Sequence, residues 1–153
     1  MDLYLLRHAV AGEAPRDEDR ELTGRGHQQA CAVAAGIAWL DPGLDAILTS
    51  PLPRAAQTAQ PVAKALGLRL ETVDALAPGH DPAEALALLA GRGERLLLVG
   101  HEPQLSGIAQ LATGGRIHMR KAMLAHLELQ STAPAQGELA WLLSWRHLSR
   151  LGR

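Results

Sequence analysis

Met1-Asp-Leu-Tyr-Leu-Leu-Arg-His-Ala-Val10 opens the chain with a short apolar run, Leu3 to Leu6, that ends abruptly on Arg7-His8. The run is too short to span a membrane and fits a buried strand. Ligands in open α/β sheets bind just beyond the carboxyl ends of the strands. A strand that delivers a guanidinium and an imidazole together at that end is therefore suited to an anion. Arginine offers a fixed fork of donors for phosphate oxygens, and a neutral imidazole can serve as nucleophile or base near neutral pH. A solvated turn can carry the same dipeptide, so the reading depends on whether the rest of the chain repeats the arrangement.

Working outward, Ala9–Glu21 is a charged loop. Its Asp17-Glu-Asp19 follows no hydrophobic strand and is read as solvated. Thr23 then caps a helix whose apolar face is Ala30, Val33, Ala34, Ile37 and Leu40, and Asp41-Pro-Gly43 stops it. Ala46–Thr49 is a second buried strand. Ser50-Pro51 reads as the N-cap and first position of a helix that runs past Pro61 to Gly67. Leu68–Val73 fits a third strand and Asp74–Gly79 a loop, while Asp81-Pro-Ala-Glu84 has the letters of a capping box opening a helix to Gly91. Arg95–Val99, apolar on both faces, is the central strand, and Gly100-His-Glu-Pro103 turns into another helix. Ala122–Leu129 and Glu138–Trp145 form a terminal strand pair around the turn Gln130–Gly137, and the basic tail Arg146–Arg153 is read as a frayed surface segment. This order predicts an α/β fold, a three-layer sandwich. Its central sheet is mostly parallel, of about six strands with helices on both faces, and its last strand pair is antiparallel. Residues 1–153 are expected to form a single domain.

Composition narrows the function. A net charge of −1 gives no general attraction to nucleic acid or to an anionic membrane, so an anion site has to be local. No signal peptide and no membrane helix are expected, and the single cysteine, Cys31, fits a reducing, cytoplasmic setting as a packed or half-exposed thiol. Ile37 stands where a cysteine-nucleophile phosphate loop would need arginine.

Two further strand ends repeat the first. Thr49-Ser-Pro-Leu-Pro-Arg54 puts Arg54 in the first turn of a helix, beside the free amides and positive dipole that also favour phosphate. Val99-Gly-His101 puts an imidazole just before the next helix. Arg7, His8, Arg54 and His101 thus gather on one rim, where they would repel one another without an anion between them. His27, His118, His126 and His147 are read as structural or solvated on helix or strand surfaces, and none has metal-site spacing.

These stretches, with Leu22-Thr-Gly-Arg-Gly26, resemble the histidine phosphatase superfamily. The short length, Leu76-Ala-Pro-Gly79 and the lack of a cap insertion resemble its small SixA-type phosphohistidine phosphatase branch. The resemblance implies that His8 is the nucleophile and carries the phosphoryl group. It further implies that Arg7 and Arg54 hold the equatorial oxygens, that His101 is a further donor, and that no metal or other cofactor is needed. Arg20 is a candidate further phosphate ligand, a solvated loop arginine being the plainer reading.

In this family Arg-His is commonly followed by Gly; here Ala9 stands there. The phosphomonoesterases of the family offer a carboxylic acid to the leaving group. The candidates here are Asp74, Asp81 and Glu84, with His80 beside them, and Asp81 and Glu84 already have a capping role. A missing acid suits phosphohistidine, whose imidazole leaves far more readily than an alkoxide. The expected partner is a phosphohistidine-bearing protein. A small phosphate ester and a phosphopeptide-binding module without turnover are the alternatives.

Overall fold

Leucines on both faces of β1 (Asp2–Arg7) place it inside the molecule. Leu3 and Leu5 enter one apolar layer, Tyr4 and Leu6 the other. β4 (Arg95–Gly100) repeats the pattern, and the two strands pair in parallel from Asp2↔Arg95 to Arg7↔Gly100. The computed structural model describes residues 1–153 and builds the sheet outward from this pair. β2 (Ala46–Thr49) and β3 (Leu70–Thr72) extend it in parallel on one side. β5 (Leu124–Thr132) and β6 (Ala135–Leu143) extend it antiparallel on the other, giving the order β3-β2-β4-β1-β5-β6.

α1 (Gly24–Leu40) and α2 (Pro53–Leu66) cover one face and are joined there by α5 (Trp145–Leu151). α3 (Pro82–Ala87) and α4 (Gln104–Thr113) cover the other. Arg7, Thr49 and Gly100, the last residues of the parallel neighbours β1, β2 and β4, lie side by side at one edge. No helix is long and apolar enough to cross a membrane.

Several local expectations are corrected. α2 begins at Pro53, not Pro51: Leu52 precedes proline, which disfavours helical geometry, and it stays extended at φ −69°, ψ 138°. Ser50 is therefore free to accept from the Leu52 amide and to reach His101. At α3 an N-cap forms without the capping box, because Asp81 accepts from the Ala83 amide while Glu84 turns to His80. That helix ends at Ala87, short of Gly91. β3 is shorter than Leu68–Val73, and a 3₁₀ turn at Asp74–Leu76 interrupts the loop behind it.

The terminal hairpin turns on Ala133-Pro134 alone, so residues expected in a long turn are paired, Ser131 with Gln136 and Thr132 with Ala135. The tail is not frayed. Ser144 and His147 make a reciprocal capping box that opens α5, and Leu148 is fully buried against α1. Gly36 lets α5 approach, since a Cβ there would lie 2.5 Å from the Leu148 carbonyl oxygen. Cys31 is exposed.

Candidate active site

The edge where β1, β2 and β4 end is assembled from backbone outward. The His8 amide donates to the Gly100 carbonyl at 3.0 Å, carrying the pairing of β1 with β4 one residue further. The His8 ring then turns back on its own chain, with Nδ1 2.8 Å from the Ala9 carbonyl oxygen. A carbonyl can only accept, so Nδ1 carries the proton and Nε2 presents its lone pair as an acceptor. The next two amides are pinned by neighbouring helices, Ala9 to Thr58 Oγ1 at 3.0 Å and Val10 to Gln29 Oε1 at 3.1 Å. Gly26 permits this close packing; a Cβ there would sit 2.0 Å from the Val10 carbonyl oxygen.

The spacing Arg54, Gln57, Thr58 now has a physical meaning, because residues three and four apart share one helix face. Thr58 holds the Ala9 amide, Gln57 accepts from the Leu22 amide at 2.8 Å, and Arg54 is buried on the same side. The two terminal nitrogens of Arg54 donate to Asp17, at 2.7 Å to its carbonyl and 2.9 Å to Oδ2. Arg20 donates to the Gly12 carbonyl at 2.8 Å and to Asp17 Oδ1 at 3.1 Å. Asp17 therefore bridges two arginines, correcting its reading as part of a solvated loop. Its carboxyl group, though exposed, is held below the usual carboxylate range by Arg20 first and Arg54 second.

His101 completes the arrangement. Its Nε2 lies 2.8 Å from Ser50 Oγ, and its ring centroid is 5.1 Å from that of His8. Arg7 donates to the Met119 carbonyl at 2.8 Å. That contact introduces a residue absent from the sequence expectations: Lys121, whose Nζ stands 3.4 Å from His8 Nε2. Nothing in its own neighbourhood, Arg116-Ile-His-Met-Arg-Lys121, has the period of an element. Only the antiparallel return of β5 along β1 brings it to the edge.

The electrostatics are those of a crowded cationic site. Burial, the Lys121 ammonium, the neighbouring His101 and Arg54 push His8 down to about 3, against the support of the Ala9 carbonyl. Burial and then Arg54 push His101 down to about 4. Both imidazoles are neutral near pH 7. Three buried side-chain nitrogens in this cluster, Arg7 Nε, Arg54 Nε and His101 Nδ1, have no protein partner. Such groups are costly when left unmatched, and a tetrahedral oxyanion offers the acceptors they lack.

Arg7, His8, Arg54 and His101 thus lie together, with Arg20 one residue removed, linked through Asp17. Asp81 and Glu84 are engaged at the start of α3. His27, His118 and His147 are exposed. His126 is buried rather than on a strand surface, stacked on Tyr4 at 4.4 Å and bonded to Asp2 at 2.8 Å. With Asp2 and Glu128 it forms a group of three potential metal ligands, at the opposite end of β1 from His8.

The model of the histidine phosphatase superfamily (branch 1) matches residues 3–78. An uncharacterized protein of Picosynechococcus sp. is 37% identical over 134 residues, which are 80% of this chain and 81% of that protein. Among solved structures, the protein histidine phosphatase SixA complexed with tungstate superposes with a TM-score of 0.84 at 25% identity, over 97% of this chain and 99% of that one. A protein assigned as a SixA phosphohistidine phosphatase from Agrobacterium tumefaciens gives a TM-score of 0.80 at 28% identity, over 94% and 97%. A mycobacterial glucosyl-3-phosphoglycerate phosphatase, 18% identical, shares the fold with a TM-score of 0.73 over 91% of this chain and 96% of that one.

Proposed function

The chain belongs to the histidine phosphatase superfamily and is a phosphatase of that superfamily; from its site we propose that it takes the phosphoryl group from phosphohistidine in a protein, by way of a phosphoenzyme on His8. The observation that carries this reading is the His8 ring. Its Nδ1 proton is committed to the Ala9 carbonyl, so its Nε2 lone pair faces the cationic cluster in a neutral imidazole.

In the first step the Nε2 lone pair attacks phosphorus, and the bond from phosphorus to the leaving imidazole breaks. The leaving group keeps that electron pair and departs neutral, its other nitrogen protonated. In the second step water attacks phosphorus, the phosphorus–Nε2 bond returns its electrons to His8, and the water proton leaves with the released phosphate. Arg7 and Arg54 supply donors to the equatorial oxygens as charge shifts, and His101 supplies one from Nδ1 when its Nε2 accepts from the Ser50 hydroxyl. Arg20 acts on the site through Asp17.

The substrate class follows from what the site can protonate. Asp17, held in the cluster, is kept ionised by its two arginines, a poor proton donor to an alkoxide, and Glu102, the carboxyl group that acts on Arg7, accepts from the Ser106 amide at 2.9 Å. Phosphohistidine needs no strong acid to release imidazole. The connections that deliver Arg54 and His101, Ser50–Leu52 and His101–Pro103, carry no insertion that would close over a small ligand. Likeness to the two SixA structures over nearly the whole chain supports the same class.

The test compares turnover of phosphohistidine and phosphoserine peptides of matched sequence, with and without a chelator. Phosphohistidine should be cleaved far faster, with no effect of chelator. Arg54→Ala should lose on the order of 100-fold or more in turnover, as expected for a phosphoryl-stabilising donor. Asp74→Asn, Asp81→Asn and Glu84→Gln should change it little. Faster cleavage of phosphoserine, together with an essential carboxylate, would replace this reading with a general phosphomonoesterase.

A further inference from the structure

The geometry points to Lys121 as a further phosphoryl-contacting residue, whose ammonium stands 3.4 Å from His8 Nε2 and passes to a phosphoryl oxygen when substrate binds. This rests on the phosphatase reading above and adds a residue to it. The starting observation is the 3.4 Å contact between Lys121 Nζ and the nitrogen proposed to attack phosphorus. Because Nδ1 of that ring already donates to Ala9, Nε2 is an acceptor, and the ammonium is its donor. A phosphoryl group bonding to Nε2 must take the lone pair from this contact. One of its oxygens then falls within reach of the displaced ammonium.

The surrounding backbone is built to keep the lysine there. The Ala122 amide donates to both the Arg7 and His8 carbonyls, at 3.1 and 3.2 Å, and the Arg7 amide donates to the Met123 carbonyl at 3.1 Å. Arg7 grips the Met119 carbonyl from the side. Ala122 is fully buried and held at φ 55°, a left-handed conformation that residues with a Cβ rarely adopt. Such strain survives only where its surroundings over-determine it, and here it aims residue 121 at the end of β1.

The charge pattern also calls for an anion. Lys121 is faced by Arg7 and His8 from β1, Arg54 from α2, Arg20 and Asp17 from the charged loop, and His101 from the end of β4. Asp17 is the one anion among them, and it is already shared by two arginines. Burial first, and then the three arginines, push Lys121 down to about 8. Below that pH it is charged and attracts phosphate; above it the attraction is lost.

The experiment follows kcat/KM for a phosphohistidine peptide against pH, and the affinity for inorganic phosphate by calorimetry. It uses wild type, Lys121→Met, Lys121→Arg and, as control, the exposed Arg116→Ala. Circular dichroism checks each fold. Lys121→Met should lower kcat/KM by about 100-fold, weaken phosphate, and abolish an alkaline limb in the wild-type profile near pH 8. Lys121→Arg should keep most turnover and move the limb to higher pH. Turnover and phosphate affinity of Lys121→Met within about two-fold of wild type, or an unchanged alkaline limb in Lys121→Arg, would overturn the assignment. A wild-type chain that cleaves no phosphorylated peptide would instead sink the phosphatase reading, with the phosphate affinities still deciding Lys121.

Discussion

At the scale of single residues, the site stores its reactivity as two imidazoles kept neutral by burial and by nearby cations. That arrangement has a thermodynamic consequence. An unfolded chain takes up protons on His8 and His101 as pH falls through about 6.5, whereas the folded chain does so only near about 3 and about 4. Between those limits the unfolded state binds more protons, so stability falls as pH falls. The slope is up to about 1.4 kcal/mol per pH unit for each group. Urea midpoints measured at about pH 7 and about pH 5 should therefore drop more in wild type than in His8→Asn, His101→Asn. Equal drops would show that these imidazoles are not held neutral. Arg7, His8 and His101 were legible because each stands at the end of an apolar strand, and Arg54 because it opens the helix that follows one. Asp17 and Lys121 were not. Asp17 sits in a loop whose charges look solvated, and Lys121 reaches His8 across a sequence separation of 113 residues.

At the scale of elements, local chemistry was a good guide where one force acted and a poor one where two competed. Thr23 caps α1 by accepting from the Gly26 amide, as its position before the helix suggests. Ser50 had the same appearance before Pro51, but Leu52 is held extended by Pro53, and the serine serves His101 instead. The arginines of the tail suggest a loose surface segment, but Trp145, Leu148 and Leu151 lie on one helical side and pack against the core. Leu148→Ala should cost about 2–5 kcal/mol, the range for emptying a fully buried leucine site. Thermal or urea unfolding measures it, and a loss under about 0.5 kcal/mol, typical of a surface change, would return α5 to the status of a loose tail.

At the scale of the whole molecule, alternation of apolar strands with amphipathic helices was enough to foresee a mostly parallel sheet covered on both faces. It left open the strand order, and so the side on which β5 returns along β1. That return carries 119–123 to the edge where the parallel strands end and completes the cationic cluster. A chain with a net charge of −1 thereby concentrates Arg7, Arg20, Arg54 and Lys121 at one place. Under the proposed function, this concentration serves to pass a phosphoryl group through His8. The most direct measurement mixes the protein with a phosphohistidine peptide, quenches the reaction in alkali during turnover, and locates the enzyme-bound phosphoryl group by mass spectrometry. A phosphoenzyme on His8 should appear as an acid-labile, alkali-stable phosphoryl group that decays as phosphate appears, with neither label nor turnover in His8→Ala. A phosphoryl group on another residue, or sustained turnover by His8→Ala, would contradict it.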